Sequence, residues 1–456
     1  MASLVLFKNN LRFNDNEVFF EACSNKADII PIYILDEINT NKPLGSSSKY
    51  WLHHSLQSLN SKLDNTLQFY KGDSFKIISD LLDVYPINDI YCEEPFLSTD
   101  ISIFERLEIL CKKENITLHT QNCTLLWRPY QILKSDDTPY KVFTPFYKKG
   151  CLYADSPNHP VGTPDEINYF DCTHDTSLKK IKLLDNFSWY DKFENIWTIN
   201  EDCALNIFND FINFKINDYK SERDFPALEK NSKLSPYIRF GLISLKRMWY
   251  ELNKLTPNKS IDHFKSELGW REFSYYLLYH FPHLESHNMQ PKFDNFEWEN
   301  SDKYFDAWKK GKTGYPIVDA GMRELWQTGF IHNRIRMVVA SFLVKNLLVD
   351  WRLGEKWFWD CLVDADFASN IASWQWVAGT GADAAPYFRI FNPILQGKKF
   401  DTAGKYIRHY IPELNSLSDK FLNEPWEIEH NLDYPNPIIE YRHSRQRALE
   451  RYEQIK

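Results

Sequence analysis

Three side chains in the last quarter of this 456-residue chain are spaced for chemistry. Asp366, Asn370 and Trp374 fall at i, i+4 and i+8, so on a helix they stand along one face. A carboxylate, an amide and an indole on one stripe are not an amphipathic core pattern. Such a face suits something polar, flat and redox-active. Asp364 or a neighbour can cap that helix, because a carboxylate accepts from the free N–H groups of a first turn. Gly379 and Gly381 then end it and let backbone come close to a bound group.

Other groupings have weaker spacing. Tyr219, Arg223 and the run Asn231-Ser232-Lys233-Leu234-Ser235 gather hydroxyls, an amide and backbone N–H groups before a helix start at Ser235-Pro236. That set suits a pyrophosphate, although an ordinary helix cap is its commoner use. Glu267, Trp270 and Arg271 share a helix face at i, i+3 and i+4, which a Glu–Arg pair beside a packed indole also explains. Asn333 and Met337 share another face. Gly311-Lys312-Thr313 imitates part of a phosphate-binding loop, but Asp306 stands where that loop needs glycine. His280, His283 and His287 flank Pro282 and lack metal-ligand spacing, so no metal is expected.

Composition bounds the class. A 43 % hydrophobic and 25 % charged chain is globular, and two domains are the natural expectation. No apolar run nears the ~20 residues of a membrane span. The opening Leu4–Phe7 run is too short for a signal peptide, so the expectation is cytoplasmic. Eight scattered cysteines contain no CxxC pair and read as reduced, mostly buried thiols. A net charge of −8 has the wrong sign for coating nucleic acid. A DNA binder of this charge must gather its cations locally, at Arg334, Arg336, Arg389, Lys398, Lys399, Lys405 and Arg408.

The elements that position these residues come in two styles. In residues 1–125, strand-like runs at 4–7, 29–34, 67–70, 88–92 and 116–120 alternate with helical stretches at 47–62 and 101–114. That is βαβ repetition and predicts a parallel Rossmann-like sheet, without the GxGxxG fingerprint. Periodicity fades over 150–200, which reads as a connection draped over the surface. Beyond it the patterns are helical. We expect an α/β domain over 1–130, a linker over 131–200 and an all-α domain over 201–456.

The run NIASWQWVAGTGADAAPYFRIFNPILQGKKFD (370–401) closely resembles the signature of the photolyase/cryptochrome flavoproteins. Within them it is most similar to the class I/III DNA photolyases that repair cyclobutane pyrimidine dimers. The resemblance extends from the first strand to about Trp426. It implies a carbon–carbon lyase that binds FAD non-covalently in its helical domain. Reduced, photoexcited FADH⁻ would pass an electron to a flipped-out dimer, the ring would split and the electron would return. The absence of a cysteine cluster in the C-terminal half removes the iron–sulfur branch.

The resemblance also implies roles residue by residue. Tyr219, Asn231, Ser232, Lys233, Leu234 and Ser235 would grip the flavin phosphates, with Asn231 standing where relatives usually have threonine. Arg336 would pair with Asp364 beside the flavin, near Asp366. The Asn370 amide would accept from flavin N5–H, where plant cryptochromes have Asp and animal ones Cys. Trp374, Trp351 and Trp298 would relay electrons. Trp270 and Trp376 would wall the lesion pocket, since an extruded base needs aromatic platforms. Glu267 would hydrogen-bond the dimer carbonyl, most easily if burial raises its pKa. Asn333 and Met337 stand where enzymes acting on (6–4) photoproducts carry histidines. A cyclobutane dimer needs no such acid. Arg223, Arg271, Asn333, Arg334, Gln396 and Lys399 would meet DNA.

The partner implied is UV-damaged DNA, bound by a monomer, with no membrane. A 5,10-methenyltetrahydrofolate antenna is implied for the first domain, yet CEEPFLSTD (92–100) lacks the folate-contacting Asn–Glu pair. A deazaflavin, a second flavin or an empty site stays open there. The alternative function is a blue-light photoreceptor without repair. Asn370, Glu267, Met337 and the lack of a long tail weigh against it. A dark FAD oxidoreductase would explain none of the tryptophans, of which eleven of fifteen follow residue 240.

Overall fold

The computed structural model describes residues 2–40, 42–172, 176–184, 188–428 and 432–456. Five strands form one sheet: β1 (Ala2–Phe7), β2 (Asp28–Leu35), β3 (Gln68–Lys71), β4 (Ile87–Glu93) and β5 (Thr117–Gln121). Their order is β3-β2-β1-β4-β5 and every pairing is parallel. Leu4 sits level with Ile30 and Ile90 on one face, and its neighbour Val5, on the other face, is equally buried, so the central strand is covered on both faces. All five strand-like runs of the sequence are strands.

Two of the crossover helices match the helical stretches: Ser46–Lys62 and Ser98–Glu114. Two more, Glu17–Ser24 and Ser74–Val84, were not legible. Their cores, VFF and II, read as strand by residue type. Side-chain caps decide them locally. Asn16 accepts from the Phe19 N–H at 3.2 Å, and Asp73 from Lys76 N–H at 3.1 Å.

The chain divides into two compact units. The first takes the described residues of Met1–Tyr140, Thr144–Phe214 and Ser232–Pro282. The second takes Lys141–Phe143, Lys215–Asn231 and the described residues of His283–Lys456. The division therefore runs elsewhere than the pattern changes at 130 and 200. The helices Leu245–Lys254 and Lys259–His280 group with the sheet because buried charges tie them to it. Lys246 pairs with Glu17 at 2.5 Å and donates to the Asn122 carbonyl at 2.6 Å. Glu272 accepts from the Leu126 and Trp127 amides at 2.9 and 3.2 Å. Gly241 is left-handed, and a Cβ there would lie 1.8 Å from the Asn9 carbonyl oxygen.

The connection over 150–200 is less superficial than expected. Residues 173–175 and 185–187 lie outside the described residues. Elsewhere Ile29 donates to Asn168 and accepts from Phe170, so 168–170 flank β2 before β3 begins. Ile181, Leu183 and Phe193 are buried. Among the described residues of the second unit all regular elements are helical, including Pro316–Thr328, Asn333–Ser341, Trp351–Cys361, Phe367–Ala378 and Tyr441–Glu453. Gly329 ends the first of these in the left-handed region, and His332 caps the next. Ser235 is a correction. It is the first residue of the helix Ser235–Arg239, not its cap, with Pro236 in the first turn. No helix among the described residues is long and apolar enough to cross a membrane.

Two outcomes follow from the buried charges. Lys246→Met strips the buried Glu17 carboxyl of its ion-pair partner, so it should destabilise the protein by about 3 kcal/mol, read from the denaturant midpoint. Burial pushes the Glu272 carboxyl up to about 7, above the ~4.3 of an unfolded glutamate. The unfolded chain thus releases this proton first. Its stabilising contribution is complete below pH ~4.3 and is lost as pH rises through about 7. Glu272→Gln stays neutral, so its stability relative to wild type should improve by about 3 kcal/mol from pH 4.5 to pH 8. A pH-independent difference would contradict this.

Candidate active site

The helix Phe367–Ala378 starts at Asp366, whose carboxylate accepts from the Ser369 N–H at 2.8 Å. Asn370 and Trp374 follow on its buried face. Beside it runs the helix Trp351–Cys361, at a distance only glycine allows. A Cβ on Gly354 would meet the Trp374 ring at 2.3 Å. That approach brings the next residue, Glu355, to Asn370. The Asn370 Nδ2 donates to the Glu355 Oε1 at 2.6 Å and to the Glu355 carbonyl at 3.1 Å. Both amide hydrogens are thereby committed, and a carboxylate acceptor forbids the flipped amide. The Asn370 oxygen accepts no bond among the described residues. It is an oriented, neutral acceptor, which fits the N5–H of a reduced flavin. Glu355 was not found by sequence reasoning. It stands four residues after Trp351, where nothing local marks a polar role.

Arg336 and Asp364 pair as expected. The Arg336 Nη2 donates to both Asp364 oxygens at 3.0 and 2.8 Å, while its Nε donates to the Ile331 carbonyl at 2.8 Å. Asp364 and Asp366 are both buried. Tyr219 is buried with the Arg223 guanidinium 5.1 Å from its ring centre. Among 231–235, Leu234 is buried, Lys233 and Ser235 are exposed, and Asn231 and Ser232 are half-buried. Lys233 adopts a left-handed backbone, and Ser232 accepts from the Leu234 N–H at 3.4 Å.

Two of the three relay tryptophans are buried and the third is half-buried. Trp374 is buried against Phe358 at 5.0 Å and Trp308 at 6.3 Å. Trp351 is buried and donates to Asn288 at 3.0 Å. Trp298 is half-buried, 4.4 Å from Phe296. Among the described residues none of these three rings stacks directly on another.

The helix Lys259–His280 carries Glu267, Trp270 and Arg271. The Glu267 side chain is 29 % exposed, 3.7 Å from His263. Arg271 turns to the Thr124 carbonyl at 2.8 Å and lies 4.7 Å from the Tyr275 ring centre. Thr124 in turn donates to the half-buried Glu93, which also accepts from Asn9 N–H at 3.2 Å. Trp270 meets Phe273 edge-on at 5.9 Å.

In the second unit, Asn333 is exposed and Met337 half-buried. Arg334 is more engaged than a free DNA contact. It binds Asp224 at 2.5 Å and lies 4.5 Å from the Phe400 ring centre. Lys399 approaches the same ring at 4.9 Å. Asp224 and Phe400 thus hold two of the proposed DNA-facing cations and were missed. Their signal is legible only once the helices pack. His332 is buried, and burial lowers its pKa to about 4, so the ring stays neutral to accept from Arg334 N–H at 3.2 Å and bond the Arg223 backbone. Of the other rim cations, Lys398 pairs with Glu424 and Arg408 with Asp419, while Arg389 and Lys405 are exposed. Trp376 and Gln396 are half-buried.

With this geometry, comparison with known proteins is informative. The family profile described as DNA photolyase matches residues 3–165, and that described as FAD binding domain of DNA photolyase matches 264–454. The deoxyribodipyrimidine photo-lyase of Agrobacterium fabrum is 40 % identical, over 99 % of this chain and 98 % of that protein. The Escherichia coli enzyme of the same name is 33 % identical, over 99 % and 98 %. Among solved structures, a bacterial class III photolyase from Agrobacterium tumefaciens gives a TM-score of 0.95 at 40 % identity, covering 100 % of this chain and 97 % of that one. A Synechocystis cryptochrome gives 0.89 at 26 % identity, covering 99 % of each. The parallel sheet, the helical unit and the matched domain define a two-part FAD-binding flavoprotein. The chain belongs to the DNA photolyase family.

Asn370→Asp tests the Glu355 contact. It sets two carboxyls at 2.6 Å, which do not ionise together. One of them keeps its proton in the folded state beyond the pH at which the unfolded chain loses it. The variant should therefore be nearest wild type at pH 5 and lose stability relative to it as pH rises to 8. Thermal midpoints across that range decide the matter, and a constant offset would show that the two groups do not touch.

Proposed function

We propose that this protein is a light-driven deoxyribodipyrimidine photo-lyase that splits cyclobutane pyrimidine dimers in DNA. The observation that carries the reading is Asn370, a neutral amide with its hydrogens locked on Glu355 and its oxygen left to accept. Full-length identity to proteins of that name supports it. FAD, when bound and reduced, supplies the photoexcited electron. Asn370, Asp366 and the Arg336–Asp364 pair would hold its ring, and Tyr219 with residues 231–235 its phosphates. Trp374, Trp351 and Trp298 would carry reducing electrons inward, with Trp374 and Trp351 buried and Trp298 half-buried toward solvent.

The remaining residues handle the lesion. Trp270 and Trp376 stack on the flipped dimer, each base–indole contact contributing about 1–3 kcal/mol. Glu267 hydrogen-bonds a dimer carbonyl and is covered once the lesion enters. Met337 and Asn333 contribute shape without a proton. Arg223, Arg271, Arg334, Gln396 and Lys399 meet backbone phosphates and flanking nucleotides, so recognition rests on weak stacking at the lesion more than on sequence. The protein acts as a monomer, because one chain carries every proposed residue. Its eight free thiols suit a reducing cytoplasm. For the antenna we propose methenyltetrahydrofolate on the first unit. An archaeal relative from Sulfolobus tokodaii, 31 % identical with a TM-score of 0.85, was solved with two FAD molecules.

The test mixes flavin-loaded, chemically reduced protein with a thymine-dimer oligonucleotide, in blue light and in the dark. Thymines should be restored only in the light, and Glu267→Ala should slow restoration roughly tenfold, the cost of losing about 1.4 kcal/mol in the reacting complex. Reduced protein that restores nothing under light would instead make this a photoreceptor.

A further inference from the structure

Lys345 lies on the π-helical turn Phe342–Asn346 with only 1 % of its surface exposed. It makes no ion pair among the described residues. Its ammonium donates to the Arg389 carbonyl at 3.1 Å and stands 5.4 Å from the Tyr387 ring centre. Burial, with the Arg389 charge adding to it, lowers the Lys345 pKa to about 7. Hiding a lysine without a counter-ion is unfavourable, and a methionine of similar length would pack there at little cost. The reason to keep it must lie in what it holds.

What it holds is a single protruding segment. Ala385 N–H bonds the Trp376 carbonyl at 3.2 Å at one end, and Phe391 N–H bonds Ser341 at 3.4 Å at the other. Tyr387 is buried, stacked on Tyr452 at 4.8 Å and packed against Phe293 and Phe296. Between these anchors Phe388 is 62 % exposed, and Arg389 is exposed beside it. Lys345 grips this tip twice, by the Tyr387 ring and by the Arg389 carbonyl. Arg389 has no carboxylate partner among the described residues, unlike Arg334, Arg336 and Arg408. A π-turn re-registers the side chains of its helix, and this one faces Lys345 inward.

We infer that Lys345 is a positioning residue for DNA binding: it fixes the Tyr387–Arg389 tip so that the Arg389 guanidinium meets a backbone phosphate. The inference rests on the photolyase reading above. The experiment is fluorescence anisotropy of the full-length, flavin-loaded protein with a thymine-dimer oligonucleotide over a series of salt concentrations. Arg389→Ala should weaken binding about tenfold and lower the salt slope by about one. Lys345→Met should act in the same direction, and Lys345→Gln, which restores an N–H donor, should recover part of the loss. A pure packing role predicts the reverse order, with Met better than Gln. The double variant Arg389→Ala/Lys345→Met should bind no more weakly than Arg389→Ala alone, because both remove one interaction.

Additive losses, or methionine outperforming glutamine, would overturn the inference. So would an unchanged salt slope in Arg389→Ala, a test that holds even if Lys345→Met does not fold. Wild type that binds and repairs while Lys345→Met matches it sinks this inference alone. Wild type that binds no damaged DNA sinks the photolyase reading, and this inference with it.

Discussion

The hydrogen bond from the Asn370 amide to Glu355 is the contact on which the site depends. An amide can present either of two opposite faces, and a carboxyl oxygen accepting on one side settles which. Glu355 does so at 2.6 Å, from a helix that can come that close because Gly354 has no side chain to strike Trp374. One missing Cβ, one carboxyl group and one amide thus leave the Asn370 oxygen a neutral acceptor with no proton to give, the edge proposed to face the flavin. The Arg336–Asp364 pair is placed by the same packing, with Arg336 also tied to its own chain at Ile331.

The helix Lys259–His280, which carries the proposed lesion contacts, is held by a different device. Its polar residues are fastened to the sheet unit through buried groups, Glu272 on the Leu126–Trp127 amides and Arg271 on Thr124, which leans on Glu93. Buried carboxylates are expensive to hide and lose most when a partner is removed. They therefore act as precise fasteners more than as sources of stability. The outcome is a rigid platform carrying Trp270 and Glu267 at a solvent-facing surface. Such a surface suits a flexible, extruded substrate that brings little order of its own.

The overall negative charge is reconciled with a DNA partner by sorting cations into two kinds. Arg334, Arg336, Lys398 and Arg408 are spent on internal carboxylates, which aim or neutralise them. Arg389, Lys399 and Lys405 are left exposed. Exposed cations without an ion pair among the described residues, set beside paired ones, give attraction to phosphate without a basic surface.

The sequence by itself determined the order and kind of the main elements. All five strands and the stripe of Asp366, Asn370 and Trp374 follow from local period and end residues, which act over a few positions of chain. It also determined the pairing of Arg336 with Asp364, through resemblance. Only the tertiary structure decided the rest. The short helices Glu17–Ser24 and Ser74–Val84 hinge on single caps that residue type disguises. Glu355, Asp224, Phe400 and Lys345 matter through partners 15 to 110 residues away, at separations where the chain carries no periodic signal. The grouping of Lys259–His280 with the sheet, likewise, depends on buried charges whose partners are named by three-dimensional proximity and by nothing in the order of residues.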